Sequence, residues 1–397
     1  MKDVLIISNY WHFRCEKSSS RYLTIANMLA NEDVDVEVIT SSFYHTQKKH
    51  RSKGDIKDEI YKFTLIDEPG YDKNISLKRI YSHGVFAKKV IDYLKKRKKP
   101  DVIYLFVPPV DLAYSVMKFA KKNNVKFVID ILDLWPEAYK MAFSLPVISD
   151  IIFYPMMKKA NAVYKNADEI VAVSQTYVDR ALQCNKKVKN GHSVFIGTDL
   201  AFFDKFKTVP DEKNDEEFKI AYIGMLGKSY DIECVIRAMK IIKDKHYDKI
   251  RFVVMGDGFT KPYLEKLAKE LDVNVVFTGR LPYEEMVCKL TSCNATVNPI
   301  ISKAKPSLIN KHADYFSSGL PFLNTQKCKE LENLITEYNA GFNCENEDEN
   351  DLADKIITLY QNPDLAKKMG KNSRKLAEDM FDRNKTYYEI IDVIKGE

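Results

Sequence analysis

Two runs of alternating strand-like and helix-like segments, separated by one charged stretch, constrain this chain more than any other feature. In the first run Val4–Ser8, Val34–Thr40, Ile60–Ile66, Val102–Val107, Lys126–Ile131, Glu169–Val173 and Ser193–Ile196 read as strands. Helical patterns lie between most of them, as where Tyr22, Ile25, Ala26 and Leu29 share one face. A helix around Arg79–Lys95 closes on Lys95–Lys99 and Pro100, because cations suit a helix C-terminus and proline cannot continue it. Apolar strands alternating with helices imply a mainly parallel sheet covered on both faces. Ala201–Glu217 breaks the rhythm with the run Asp211–Glu217, which reads as a solvated linker. A second series follows, with strands at Lys219–Ile223, Arg251–Met255, Val275–Thr278, Ala295–Pro299 and Pro321–Asn324. The pattern predicts two doubly wound α/β domains, with ligand in a cleft at the carboxyl ends of their strands.

Several other classes are excluded. A length of 397 residues suits two domains, and 45% hydrophobic content supplies a core, which rules out a disordered chain or a disulfide-stapled miniprotein. The net charge of +6 is spread over the chain. It does not demand nucleic acid, but it suits loose contact with an acidic membrane surface or with phosphorylated ligands. The seven cysteines form no C-x-x-C and read as reduced thiols. No two histidines stand at metal-ligand spacing, so no metal site is expected. No apolar stretch reaches the length of a bilayer span, and no signal-peptide core follows Met1, so a soluble, cytoplasmic protein is expected.

Four segments carry candidate chemistry. Gly224-Met225-Leu226-Gly227-Lys228 follows the first strand of the second half, where two glycines and a lysine make a phosphate cradle plausible. Val253–Gly258 is a strand entering a turn with Gly256 and Gly258, which reads either as a tight turn or as a ligand contact. Asn310, Lys311 and Asp314 sit at helical i, i+1 and i+4, before Gly319-Leu320-Pro321 ends the helix. A carboxylate there can accept from both ribose hydroxyls, and a lysine can balance a diphosphate. In the first half Asp130, Asp133 and Glu137 surround Trp135 at a strand end, which reads as a lined cleft or as a cap with a packing tryptophan. The apolar stretch Met141–Met157 is expected in the core, with a membrane-facing surface as the other reading.

In order and spacing these segments resemble the family-four retaining glycosyltransferases of GT-B fold, in particular a bacterial surface-polysaccharide, fucosamine-transferase-like branch. The resemblance also rests on Lys78-Arg79, Ser82, Phe86-Ala87, Pro100–Ile103, Asp133–Glu137, Val173-Ser174, Gly197-Thr198-Asp199 with Phe203, Tyr222–Gly227, and Phe277–Arg280. It implies two Rossmann-like domains facing a central cleft. Residues 1–203 would bind acceptor, 204–218 link, 219–380 bind the nucleotide-sugar, and 381–397 form a C-terminal helix packing back on the first domain. It further implies transfer of a sugar from a nucleotide-sugar, with UDP favoured, to a lipid-linked saccharide acceptor in capsule or O-antigen synthesis. The reaction would retain configuration and need neither cofactor nor metal, with peripheral contact at the inner membrane face. Asp314 would hold the donor ribose and the Gly224–Lys228 loop the diphosphate. Arg280 and Leu281 would meet the base, while Ser307, Asn310 and Lys311 line the sugar–diphosphate side. Gly256 and Gly258 join this donor set, and Asp133 is the candidate acceptor-side base.

Three departures from the family pattern stand out. Met225 and Tyr230 occupy positions where many relatives carry Arg and Lys, and Pro306 stands where a Glu is common. The segment Tyr10–Ser20 lacks the Gly-Gly loop of many relatives. The first two motivate a non-catalytic nucleotide-sugar-binding partner as the alternative.

Overall fold

The computed structural model describes residues 1–16, 20–74, 76–141, 146–208, 217–302 and 308–397. Most of the charged stretch, 209–216, and Ser307 lie outside them. The chain divides into two compact units: Met1–Phe195 with Tyr387–Glu397, and Ile196–Thr386.

The first unit contains β1 (Lys2–Ser8), β2 (Val34–Ser41), β3 (Phe43–Tyr44), β4 (Lys49–His50), β5 (Lys62–Ile66), β6 (Val102–Val107), β7 (Lys126–Ile131), β8 (Glu169–Ala172) and β9 (His192–Ser193). Seven of these form a parallel sheet in the order β5-β2-β1-β6-β7-β8-β9, and β3 and β4 make a separate antiparallel pair. Val4–Ile7 and every residue of β6 are buried, as expected of central parallel strands with helices on both faces. The helix Tyr388–Lys395 completes this core: Ile390, Ile391 and Ile394 pack with Val4, Ile6, Ile25 and Leu29. Lys126 Nζ fastens the helix by donating to the Val393 carbonyl at 2.8 Å.

Inside this unit sits a buried ion pair. Arg21 donates to both carboxylate oxygens of Asp130, at 2.7 and 3.1 Å, and to the Val194 carbonyl at 2.8 Å. Tyr104 Oη donates to the same carboxylate at 2.6 Å, and the guanidinium lies over the Tyr387 ring. Both carboxylate oxygens have a donor, the kind of pairing that lets two buried charges be tolerated.

One expectation is corrected. In the segment Met141–Met157 the large apolar side chains at 148–154 are mostly not core: Ile151 is 71% exposed, and Ile148, Ile152 and Tyr154 are more than half exposed. These residues lie on the helix Pro146–Asn166, which packs against the helix Val110–Asn123 and leaves this stretch uncovered.

The second unit contains β10 (Phe218–Ile223), β11 (Ile250–Met255), β12 (Val275–Gly279), β13 (Ala295–Asn298), β14 (Phe322–Asn324) and β15 (Gly341–Asn343). All are parallel, in the order β12-β11-β10-β13-β14-β15, the doubly wound arrangement. Residues 196–203 belong to this unit because Thr198 bridges Asp382: its N–H donates to Phe381 O at 2.9 Å and its carbonyl accepts from Arg383 N–H at 3.1 Å. Arg374 adds a two-pronged ion pair to Asp204 at 2.8 and 2.6 Å.

Candidate functional site

Strand order places the second unit's crevice. β10 and β13 are neighbours where the chain order reverses, so the loops leaving their carboxyl ends diverge and a ligand can enter between them. Gly224 follows β10 directly with a φ of +131°, a conformation that side chains rarely adopt. Gly256, directly after β11, is constrained by contact instead: a Cβ there would lie 1.8 Å from the Gly224 carbonyl oxygen. Gly256 also bridges Gly279 at the end of β12, so three successive strand ends form one floor. The next turn is tied in by Leu226 N–H donating to Asp257 O at 2.9 Å, while Gly258 N–H donates to Asp257 Oδ1 at 2.8 Å.

Lys311 opens the helix Lys311–Ser317 and reaches over this floor. Its ammonium lies 3.8 Å from the Tyr230 ring centroid, 4.3 Å from that of Tyr222, and 3.3 Å from Tyr222 Oη. A Cβ on Gly224 would come within 3.2 Å of it. Among the described residues no carboxylate pairs with it, and burial pushes its pKa well below the ordinary lysine value. Two aromatic faces attract a cation but do not neutralise it, so an anion placed there would be favoured electrostatically.

Asp314, one turn further on, belongs to another cluster. It accepts from Tyr283 Oη at 2.9 Å, the Tyr283 and Thr198 hydroxyls are 3.1 Å apart, and the Tyr283 ring stacks on Phe202. Burial raises the Asp314 pKa from 3.8 to about 6, against the opposing pull of the Tyr283 and Thr198 hydroxyls and of Arg383. Because the folded value is raised, the charged form is penalised. The penalty is absent below pH 3.8, grows as pH rises towards 6, and is complete above it. We expect Asp314→Asn to stabilise the second unit relative to wild type by ~2 kcal/mol more at neutral pH than at pH near 4. Urea unfolding at both pH values, followed by circular dichroism, checks this; a constant difference would refute it.

The remaining donor-side candidates are spread out. Arg280 and Leu281 come directly after Gly279; Arg280 is exposed and Leu281 lines a hollow of 430 Å³ with Thr208, Thr278 and Glu285. Lys228 is exposed on the loop beyond Gly227, and Asn310 is exposed before the Lys311 helix. Ser307 lies outside the described residues. The structure thus gathers Gly224, Gly256, Gly258 and Lys311, and places Asp314 one turn beyond Lys311 on its helix, in the separate Tyr283–Thr198 cluster. Sequence reasoning missed Tyr222, Tyr283 and Thr198 as parts of the site, and it weighed Tyr230 only as a missing lysine. Aromatic residues within apolar runs read as core until their ring neighbours are known.

In the first unit the three carboxylates around Trp135 prove unequal. Asp130 is consumed by Arg21, and Glu137 pairs with Arg180 at 2.6 Å. Asp133 has no ion pair among the described residues; it accepts from Trp135 Nε1 at 2.9 Å, and burial raises its pKa. The expected carboxylate-lined cleft therefore reduces, at this strand end, to one unpaired group. Among the described residues no group of three or more His, Cys, Asp or Glu side chains is arranged to hold a metal ion.

Known proteins share this architecture. Residues 204–376 match the family described as Glycosyl transferases group 1. An uncharacterized glycosyltransferase of Methanocaldococcus jannaschii, MJ1069, is 24% identical over 245 residues, 57% of this chain. The match spans only 58% of that relative's length. Among solved structures, Anabaena Alr3699/HepE in complex with UDP superposes with a TM-score of 0.72 at 14% identity, covering 100% of both chains. WaaG, a glycosyltransferase involved in lipopolysaccharide biosynthesis, gives 0.67 at 15% identity over 99% of this chain and 100% of its own. The chain thus has the GT-B architecture, and its residues 204–376 carry the pattern of the group 1 glycosyl transferases.

Proposed function

We propose that this protein is a glycosyltransferase that moves a sugar from a nucleotide-sugar, a UDP-sugar in our reading, to a lipid-linked saccharide acceptor with retention of configuration. The pathway would be bacterial surface-polysaccharide synthesis. The observation that carries this reading is the unpaired Lys311 ammonium held over the glycine floor at the switch point of the second unit. A group so placed meets the charge that develops on a leaving diphosphate, where a preorganised cation lowers the barrier most. Asp314, with its Tyr283 and Thr198 hydroxyls, is the ribose-side group in this reading. Asp133 is assigned to the acceptor side. The solved relative with UDP and the one named for lipopolysaccharide biosynthesis support the donor and pathway assignments by analogy.

The reaction itself is the test. We expect UDP release from one UDP-sugar in the presence of a lipid-linked acceptor, and product NMR showing the donor's anomeric configuration. Because cationic side chains serve the diphosphate, EDTA should leave the rate unchanged. Abolition by EDTA with rescue by a divalent cation would refute metal independence. Donor binding without turnover for any acceptor would favour the non-catalytic reading.

Peripheral membrane contact is part of the proposal. Besides Ile148, Ile151, Ile152 and Tyr154, the first unit exposes Leu77, Ile80 and Tyr81 on the helix Leu77–Leu94, which packs against the same Val110–Asn123 helix. Lys158, on the Pro146–Asn166 helix, is also exposed. Apolar side chains flanked by cations suit the interface of an anionic bilayer. Ile151→Glu with Ile152→Glu should weaken binding to anionic vesicles by about tenfold or more, with circular dichroism unchanged. Equal flotation of variant and wild type would rule this surface out.

A further inference from the structure

The first unit holds a second place where cations gather without carboxylates. Arg79 lies in the first turn of the Leu77–Leu94 helix, capped by Ser76. Its guanidinium donates to Tyr10 Oη at 2.6 Å and to the Asn74 carbonyl at 2.5 Å, while its Nε is buried without a partner. Three rings surround it: Trp135 at 5.0 Å, Tyr71 at 5.4 Å and Tyr10 at 5.7 Å. Lys48 comes to the same ring of Tyr71, at 4.7 Å, and donates to the side chain of the same Asn74 at 2.6 Å. Lys48 has a φ of +56°, an uncommon conformation for a residue other than glycine.

No carboxylate among the described residues balances these charges. Among these residues the hydrogen-bond partners of Arg79 and Lys48 are all neutral groups. The nearby Glu68 carboxylate is buried and engaged by Asn9 at 2.8 Å and Ser82 at 2.5 Å. His45 and His83 stand at the cluster as neutral rings, since burial and the neighbouring cations push their pKa values down to about 4 and about 3. His83 stacks on Trp135, and His45 shares its Nδ1 with Tyr71 Oη and Lys48 Nζ. Partly buried cations left unpaired cost free energy that a bound anion recovers. A planar guanidinium beside an ammonium suits the tetrahedral oxygens of a phosphate.

We propose that Arg79 and Lys48 form a phosphate-binding site in the first unit that grips the phosphate or diphosphate of the acceptor, with Trp135 and Tyr71 as the apolar walls. This rests on the reading of the first unit as the acceptor side and names the acceptor's recognised group. A lipid diphosphate and a soluble sugar phosphate share this chemistry.

The test uses the full chain saturated with UDP, so that the donor site is filled, and titrates farnesyl diphosphate and glucose 1-phosphate separately by calorimetry. We expect at least one probe to bind, and Arg79→Gln and Lys48→Gln each to weaken it by roughly tenfold to a hundredfold while leaving UDP affinity unchanged. Binding of farnesyl diphosphate alone supports a lipid source, and binding of glucose 1-phosphate alone a soluble one. Lys48→Gln, in the turn between β3 and β4, keeps the test valid should Arg79→Gln misfold. If UDP fails to bind, the donor reading has failed. The same titrations without UDP then decide this site by whether Arg79→Gln, and not Lys311→Met, removes binding. No binding of either probe, or equal binding by wild type and both variants, overturns the proposal.

Discussion

Replacing Asp130 by alanine should destabilise the first unit by roughly 3–5 kcal/mol, enough to unfold much of it at growth temperature. The side chains of Arg21 and Asp130 are 2% and 0% exposed. Removing the carboxylate strands a guanidinium that cannot reach water and deprives Tyr104 Oη of its acceptor. The loss therefore reflects an uncompensated buried charge, not the net worth of the pair. The double variant Arg21→Met, Asp130→Leu should recover most of it, because an apolar pair of similar volume leaves no charge behind. Both tryptophans, Trp11 and Trp135, lie in the first unit, so tryptophan fluorescence during urea unfolding reports that unit. A double variant as unstable as Asp130→Ala would show that the site needs the ion pair for more than charge balance.

Lys311→Met should reduce sugar transfer by about a hundredfold to a thousandfold, the range found when one preorganised donor is removed from developing negative charge. Methionine keeps apolar packing between Tyr222 and Tyr230, so folding should survive. A second signature separates charge from shape. The free lysine's pKa is depressed by burial, and a bound diphosphate raises it again. Binding of UDP at alkaline pH should therefore take up protons, and affinity should fall as pH rises through the free-state value. Calorimetry in buffers of different ionisation enthalpy measures the uptake, which should vanish in Lys311→Met. A variant with unchanged turnover and unchanged proton uptake would remove Lys311 from the mechanism.

What the sequence disclosed follows from the range of the interactions involved. Strands such as Val4–Ile7 and the residues of β6 were legible because burial on both faces writes itself as a local apolar run. Lys311 and Asp314 were legible as neighbours because helical geometry fixes positions three apart. Their separate partners were not: Lys311 meets Tyr222 from 89 positions away, and Asp314 meets Tyr283 from 31. Arg21 and Asp130 are 109 positions apart, and no local pattern distinguishes a structural carboxylate from a catalytic one. Arg79 entered the sequence reading only as part of the resemblance, and its three rings come from positions 10, 71 and 135, which no local pattern brings together. The exposed Ile151 shows the converse limit, since an apolar run announces hydrophobicity but not which surface will cover it.

The division of the chain bears on how it is made. The first unit is discontinuous, and Tyr387, Ile390, Ile391 and Ile394 of its core are translated only after the whole of Ile196–Thr386. The second unit is a continuous segment and can fold as it emerges, since domains generally fold as units during synthesis. The earlier-made unit must wait with an apolar face open until its last helix arrives. The first unit to begin is thus the last that can be completed, and the waiting face is a surface a chaperone could cover.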